Sequence, residues 1–257
     1  MNNMDNGCKV LYLGGPTVII ELGGLRFMTD PTLDPKGGLY HGLITKTESP
    51  AEVDIGTIDI ILLSHDQHAD NLDHAGRLLV EKVSRTYTTV EGAQRLKGTS
   101  VGLAPWQSDT VLTPDGRQIT ITATPARHGP AGIEAINGEV AGFILSMEGS
   151  KKPEIYITGD TVYYEGVAQV ARRFDPSHVF IFAGAAHVWG PFNVTMGTND
   201  AMDTAIAFPN ATIMPLHYNG WSHYTQNEND LRQAYKVIGV DQRLKILEAG
   251  ILTPLDV

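Results

Sequence analysis

The chain has 257 residues, 42% hydrophobic and 19% charged, which is enough apolar content for a sizeable core and too much for a disordered chain. Acidic residues outnumber basic ones 29 to 19, for a formal charge of -10, and no block of Lys or Arg occurs, which argues against a general nucleic-acid backbone binder. Cys8 is the single cysteine, so an intrachain disulfide and a thiolate metal cluster are excluded, and any metal must be held by His, Asp or Glu.

The first residues, Met1 to Asn6, lack the basic and apolar regions of a secretion signal, and no apolar run approaches a membrane span, so the expectation is a cytoplasmic protein. Short β-branched runs at Val10–Leu13, Thr17–Leu22 and Leu25–Thr29, separated by glycine pairs, predict an antiparallel meander. The continuous apolar run Ile58–Leu63 reads as a strand covered on both faces and ends in a polar cluster from Ser64 to Asp73. Leu72, Ala75, Leu79 and Val83 recur at helical spacing, with Asn71 placed as the N-cap.

Further strands are predicted at Arg85–Thr89, Gln118–Thr124, Val140–Met147, Glu154–Thr158, His178–Phe182, Thr212–Leu216 and Lys245–Leu247. Helices are predicted at Val162–Arg173, Asn199–Phe208 and Glu228–Ile238. Strand groups with helices between them suit an α/β fold built as a four-layer αββα sandwich. No segment has the composition of a linker, so residues 1–257 are read as one domain.

Histidines and aspartates fall where predicted strands end. Ser64-His65-Asp66-Gln67-His68-Ala69-Asp70-Asn71 follows the buried strand, His128 follows 118–124, Asp160 follows 154–158, and His217 follows 212–216. Loops at one edge of a rigid sheet can bring such residues to a point, and imidazole plus carboxylate without thiol suits zinc, manganese or iron.

In these residues the sequence resembles the metallo-β-lactamase fold hydrolases, and within them the branch that includes ascorbate-6-phosphate lactonase. Thr29-Asp30-Pro31 resembles the family's early aspartate motif, Leu63-Ser64-His65 through Asp73 its histidine-rich motif, and His128, Asp160 and His217 its later ligands. The resemblance implies the αββα fold and sheet-edge loops holding one or two divalent ions, zinc first and manganese or iron as alternatives. It implies His65, His68, Asp70, His128, Asp160 and His217 as ligands, with Asp160 bridging. One departure stands out. The family pattern is His-x-His-x-Asp-His, whereas here an extra residue lies between His65 and His68, and Asn71 occupies the place of the last imidazole.

Asp30 is expected to orient a ligand histidine, and Asn71 to sit beside the ligands as a helix cap. His187 and His223 are the candidates for general acid, or line the pocket passively, with Asp66 a further candidate acid or ligand. Trp189, Tyr218 and Trp221 either wall a substrate pocket or pack loops onto the sheet. Arg127 either receives a substrate carboxylate or phosphate or forms a surface ion pair. His41, His74 and His178 are read as a loop residue, an exposed helix residue and a strand start.

The functional reading is a metal-dependent hydrolase in which a metal-activated water attacks a small-molecule ester, lactone or phosphoester. The alternative is a catalytically silent metal- or ligand-binding protein on the same scaffold. The expected partner is the small-molecule substrate, without nucleic acid or membrane; whether the chain forms a homo-oligomer is left open.

Overall fold

The structure is a computed structural model that describes residues 8–40, 42–151 and 153–256; Met1 to Asn6 and His41 lie outside them. Its first half runs β1 (Cys8–Gly14), β2 (Thr17–Leu22), β3 (Leu25–Thr29), β4 (Gly37–Tyr40), β5 (Ile44–Lys46), β6 (Ile60–Leu62), α1 (His74–Val80), β7 (Arg85–Thr88), α2 (Val90–Leu96) and β8 (Ser100–Gly102). The second half runs β9 (Ser108–Leu112), β10 (Gln118–Pro125), α3 (Glu134–Asn137), β11 (Ala141–Met147), β12 (Ile155–Ile157), α4 (Glu165–Arg173), β13 (His178–Phe182), α5 (Thr198–Ala207), β14 (Thr212–Leu216), α6 (Glu228–Val237) and β15 (Leu252–Leu255).

A seven-stranded sheet has the order β15-β1-β2-β3-β6-β7-β8, a six-stranded sheet the order β14-β13-β12-β11-β10-β9, and β4-β5 stands apart as a hairpin. The β2–β3 turn is two glycines, Gly23 and Gly24, at φ 59° and 81°, the pair of left-handed residues that a tight hairpin of matching twist requires.

Side-chain alternation along the strands builds the layers. Val18 and Ile20 of β2 face the other sheet, where they join Ile121, Phe143 and Phe180 in the central core. Ile19 points the opposite way and packs with Met28, Ile61 and Val80 under α1. The outer face of the second sheet places Ile144, Tyr156 and Val179 against Val167, Ala201 and Leu231 of α4, α5 and α6. Helix, sheet, sheet and helix are thus stacked in four layers, the αββα sandwich expected from the sequence.

Three boundaries differ for a physical reason. Helix α1 is capped by Asp73, whose carboxylate accepts from Gly76 N at 2.9 Å, and not by Asn71. The amides of Asn71 and Leu72 instead bond to the His68 carbonyl at 3.2 and 2.9 Å, closing a turn that shapes the histidine-rich loop. Residues 162–164 precede α4, with Val162 N bonded to the Arg127 carbonyl at 3.0 Å, which ties two site loops together. Lys245–Leu247 forms no strand, although Lys245 N donates to the Ile213 carbonyl of β14, and the last strand is β15, antiparallel to β1. No helix among the described residues is long and apolar enough to cross a membrane.

Candidate metal centre

One edge of the sandwich carries the site. The loop 64–73 leaves β6, Asp30 follows β3, His128 follows β10, Asp160 follows β12 and His217 follows β14. Asp30, Ala185 and His217 hold positive φ values of 28°, 48° and 56°. Non-glycine residues adopt that region at a cost, and only where the surroundings over-determine them.

The structure brings six of the predicted ligands together. His65 Nε2 lies 2.8 Å and His128 Nε2 3.1 Å from His68 Nδ1, and Asp160 Oδ2 lies 3.5 Å from His128 Nε2. In the adjoining group, His217 Nε2 is 3.3 Å from Asp70 Oδ2 and 3.4 Å from Asp160 Oδ1. Within each group, His65-His68-His128-Asp160 and Asp70-Asp160-His217, one donor atom per residue lies within 4.8 Å of every other. Asp160 belongs to both.

Hydrogen bonds fix which imidazole nitrogens are bare. His128 Nδ1 is 2.6 Å from the Val194 carbonyl, which can only accept, so Nδ1 carries the proton and Nε2 a lone pair. Ser64 Oγ gives its hydrogen to Asp30 Oδ1 at 2.6 Å and so accepts from His65 Nδ1 at 3.0 Å, which leaves His65 Nε2 bare as well. Asp30 thereby orients His65 through Ser64, whose amide it also accepts at 3.0 Å.

The electrostatics favour a cation. Burial, reinforced by neighbouring imidazoles, holds His65 well below its usual range and His128 down to about 3, so both are neutral ligands. Burial also lowers His217. Burial would raise Asp70, but His223 and His217 outweigh it and keep that carboxyl well below the usual range. Asp160 is pushed well above it by burial and by the charges of Asp70 and Asp30. Among the described residues, buried Asp160 Oδ1 and Asn71 Oδ1 find no well-formed hydrogen-bond partner. Two facing carboxylates with converging lone pairs match the donor set of a divalent ion and have no comparable fit to a neutral protein core.

Asp66 is one of the two residues that separate His65 from His68. It turns away from the cluster: its carboxylate makes a forked ion pair with Arg95 of α2 at 2.6 to 3.1 Å, and Arg77 of α1 donates to its carbonyl. The extra length therefore anchors the loop to two helices while His65 and His68 still converge. Asn71 is fully buried, its amide nitrogen 3.5 Å from Asp30 Oδ1 and 3.4 Å from Ser64 Oγ.

A cleft of about 460 Å³ opens above the cluster, lined by His68, Asp70, His128 and His223 below and mainly by apolar side chains around. His223 Nε2 lies 3.0 Å from Asp70 Oδ2. His187 does not line the cleft, because its ring is hydrogen-bonded to Asn193 Oδ1 at 2.9 Å. Trp189 lines it; Tyr218 is buried in the core beneath α6, and Trp221 is buried beside Ile44 and Ala69. Arg127 stacks over Tyr164 at 4.5 Å and lines a neighbouring cleft. His74 is exposed, and His178 is buried at the start of β13.

Sequence reasoning missed the wall formed by Tyr40, Leu43 and Ile44 of the hairpin, and by Ile136 and Asn137 of α3. The glycine-flanked run 37–46 carries a hairpin signal; nothing in the sequence marks Asn137.

Comparison with known proteins identifies the family and the fold. A curated relative, the UPF0173 protein YddR of Bacillus subtilis, is 23% identical over 94% of this chain and 98% of its own. A UPF0173 metal-dependent hydrolase of Carboxydothermus hydrogenoformans is 26% identical over 96% of this chain and 100% of its own. The crystal structure of isothiocyanate hydrolase from Delia radicum gut bacteria superposes with a TM-score of 0.81 at 24% identity, over 95% of this chain and 98% of that one, a likeness of fold. The beta-lactamase superfamily domain matches residues 25–218, a span that contains β3 through His217 and with them every ligand-bearing loop. The chain is therefore a member of the beta-lactamase superfamily, a metal-dependent hydrolase of the metallo-β-lactamase fold.

Proposed function

We propose that this hydrolase cleaves a small-molecule ester, lactone or phosphoester at the floor of the 460 Å³ cleft. The observation that carries the reading is the convergence of three imidazoles, two carboxylates and a fourth imidazole at the base of a pocket of substrate size. His65, His68 and His128 would hold one divalent ion, a set suited to zinc. Asp70, Asp160 and His217 would hold another, richer in oxygen and more accepting of manganese or iron. A bound ion supplies a water of lowered pKa and polarises the group attacked.

The remaining work falls to the chain's own groups. Asp160, shared by both clusters, orients the water through its carboxylate. For an ester or lactone, the water oxygen bonds to the acyl carbon and the acyl C–O bond breaks. The leaving alkoxide takes a proton, for which His223 faces the cleft beside Asp70. A substrate seated against these apolar walls would displace water from the floor and strengthen each polar interaction there.

The test is turnover on a panel of lactone, ester and phosphodiester reporters, before and after chelation. Turnover abolished by the chelator and restored by zinc or manganese supports the reading. Bound metal with no turnover on any reporter leaves the chain a metal-binding protein.

A further inference from the structure

The walls of the cleft say more than its floor. Tyr40, Leu43, Ile44, Ile136, Val188 and Trp189 line the open space above the proposed ligands, and no lining residue among those described is Lys or Arg. The nearby cations are engaged elsewhere. Lys46 Nζ donates to Asp73 Oδ2 at 3.0 Å and to the Thr32 carbonyl at 2.8 Å. Arg77 and Arg95 hold Asp66, and Arg127 lies over Tyr164.

Of the polar side chains in the wall, Gln67 is neutral and offers no charged donor, and Asn137 is committed elsewhere. Asn137, fully buried, donates to the His128 carbonyl at 2.6 Å and accepts from Trp189 Nε1 at 2.6 Å. The Trp189 ring is therefore fixed to the loop that carries His128, and its indole N–H is not presented to a ligand. A phosphate or carboxylate tail in this cleft would lose water without gaining a charged donor from the walls, a desolvation with no compensation.

We propose that the substrate is an uncharged acyl compound with an apolar tail, an alkyl lactone or ester, and that Trp189, Ile136 and Leu43 select it by enclosing that tail. This rests on the hydrolase reading and narrows it: within the classes that the floor could cleave, the walls disfavour a substrate whose tail carries a phosphate or carboxylate, such as a phosphorylated lactone. Burial of each methylene against these side chains raises affinity by up to about fourfold.

Two measurements separate this inference from the reading beneath it. The first needs no turnover. Quenching of tryptophan fluorescence in the metal-loaded protein is titrated with neutral alkyl amides of increasing chain length and with the matching alkyl phosphates, using Trp189→Phe to assign the signal. Tighter binding of the amides as the chain grows, with weak binding of the phosphates, is the expected result. Equal or tighter binding of phosphates, or no dependence on chain length, overturns the proposal whether or not the protein is an enzyme.

The second measurement compares kcat/KM for lactones of increasing tail length. A rise with length that is flattened in Trp189→Ala and Ile136→Ala is expected, and Ile136→Arg is expected to shift preference toward an anionic lactone. A phosphorylated lactone turned over faster than its neutral counterpart by the native protein would also overturn it.

Discussion

His128 Nδ1 lies 2.6 Å from the main-chain carbonyl of Val194, a contact between loops that are 66 residues apart in the chain. It fixes the tautomer of His128, aims Nε2 at His68, and joins the loop after β10 to the segment that leads into α5. The ligands thus stand on loops that are cross-braced independently of the hydrophobic layers.

His128→Ala and Asp160→Ala are accordingly expected to lose most bound metal while keeping the circular dichroism of the native protein. The ligands sit beyond the strand ends, so their removal leaves the sandwich core intact. Metal content by mass spectrometry is measured on the same samples. Native metal content in both variants would exclude the proposed centre.

Much of this arrangement was legible in the sequence, because strands with alternating or continuous apolar residues announce themselves and the ligands follow their ends. Short edge strands did not: Ser100-Val101-Gly102 offers one apolar residue, and β15 contains Pro254, so neither has a clear period. The role of Asp66 was illegible for a different reason. Its partner Arg95 lies 29 residues on, in a helix whose sequence has little amphipathic pattern, and only the tertiary structure joins them. The apolar walls were hidden likewise, being contributed by a hairpin and a four-residue helix whose packing no local rule dictates.

Asp66→Ala is expected to keep its metal and lose about 1 kcal/mol of stability, modest because Arg95 is 42% exposed and regains water. Urea unfolding and metal counting together check this. Loss of metal with unchanged stability would return Asp66 to the list of ligands.

Ser64→Ala breaks the link from Asp30 to His65 while leaving every proposed ligand in the chain. A roughly 10- to 100-fold loss of metal affinity is expected, the usual cost of removing a group that orients a ligand. Competition with a chromophoric chelator measures it, and unchanged affinity would mean that packing alone positions His65.

Glu139 and Glu91, which line the neighbouring cleft, provide a pH-dependent test on groups that are not proposed ligands. Their shared hydrogen bond, helped by burial and mutual charge, raises Glu139 from 4.5 to about 7. A carboxyl raised in the folded state stabilises below its unfolded value, and that contribution fades as pH rises from about 4.5 through 7. Glu139→Gln removes the titration. Its Tm, measured from pH 5 to 8, is expected to fall less with rising pH than the native protein's; parallel curves would show that the two carboxyls do not interact.

The last prediction concerns inequality between the two groups of ligands. Three imidazoles with two defined bare nitrogens are expected to bind zinc tightly, whereas Asp70, Asp160 and His217 offer an oxygen-rich donor set without the imidazole that Asn71 replaces. Asn71 also has its amide nitrogen turned toward Asp30 and Ser64, so it supports the first site while giving the second no imidazole. Stepwise chelation should release one ion well before the other, and Asn71→His should narrow the interval by adding a nitrogen ligand to the weaker site. Metal counting along the titration reads both effects. Two ions leaving the native protein together, with no change in Asn71→His, would mean that another side chain completes the second site, and His223, 3.0 Å from Asp70, is then the residue to replace next.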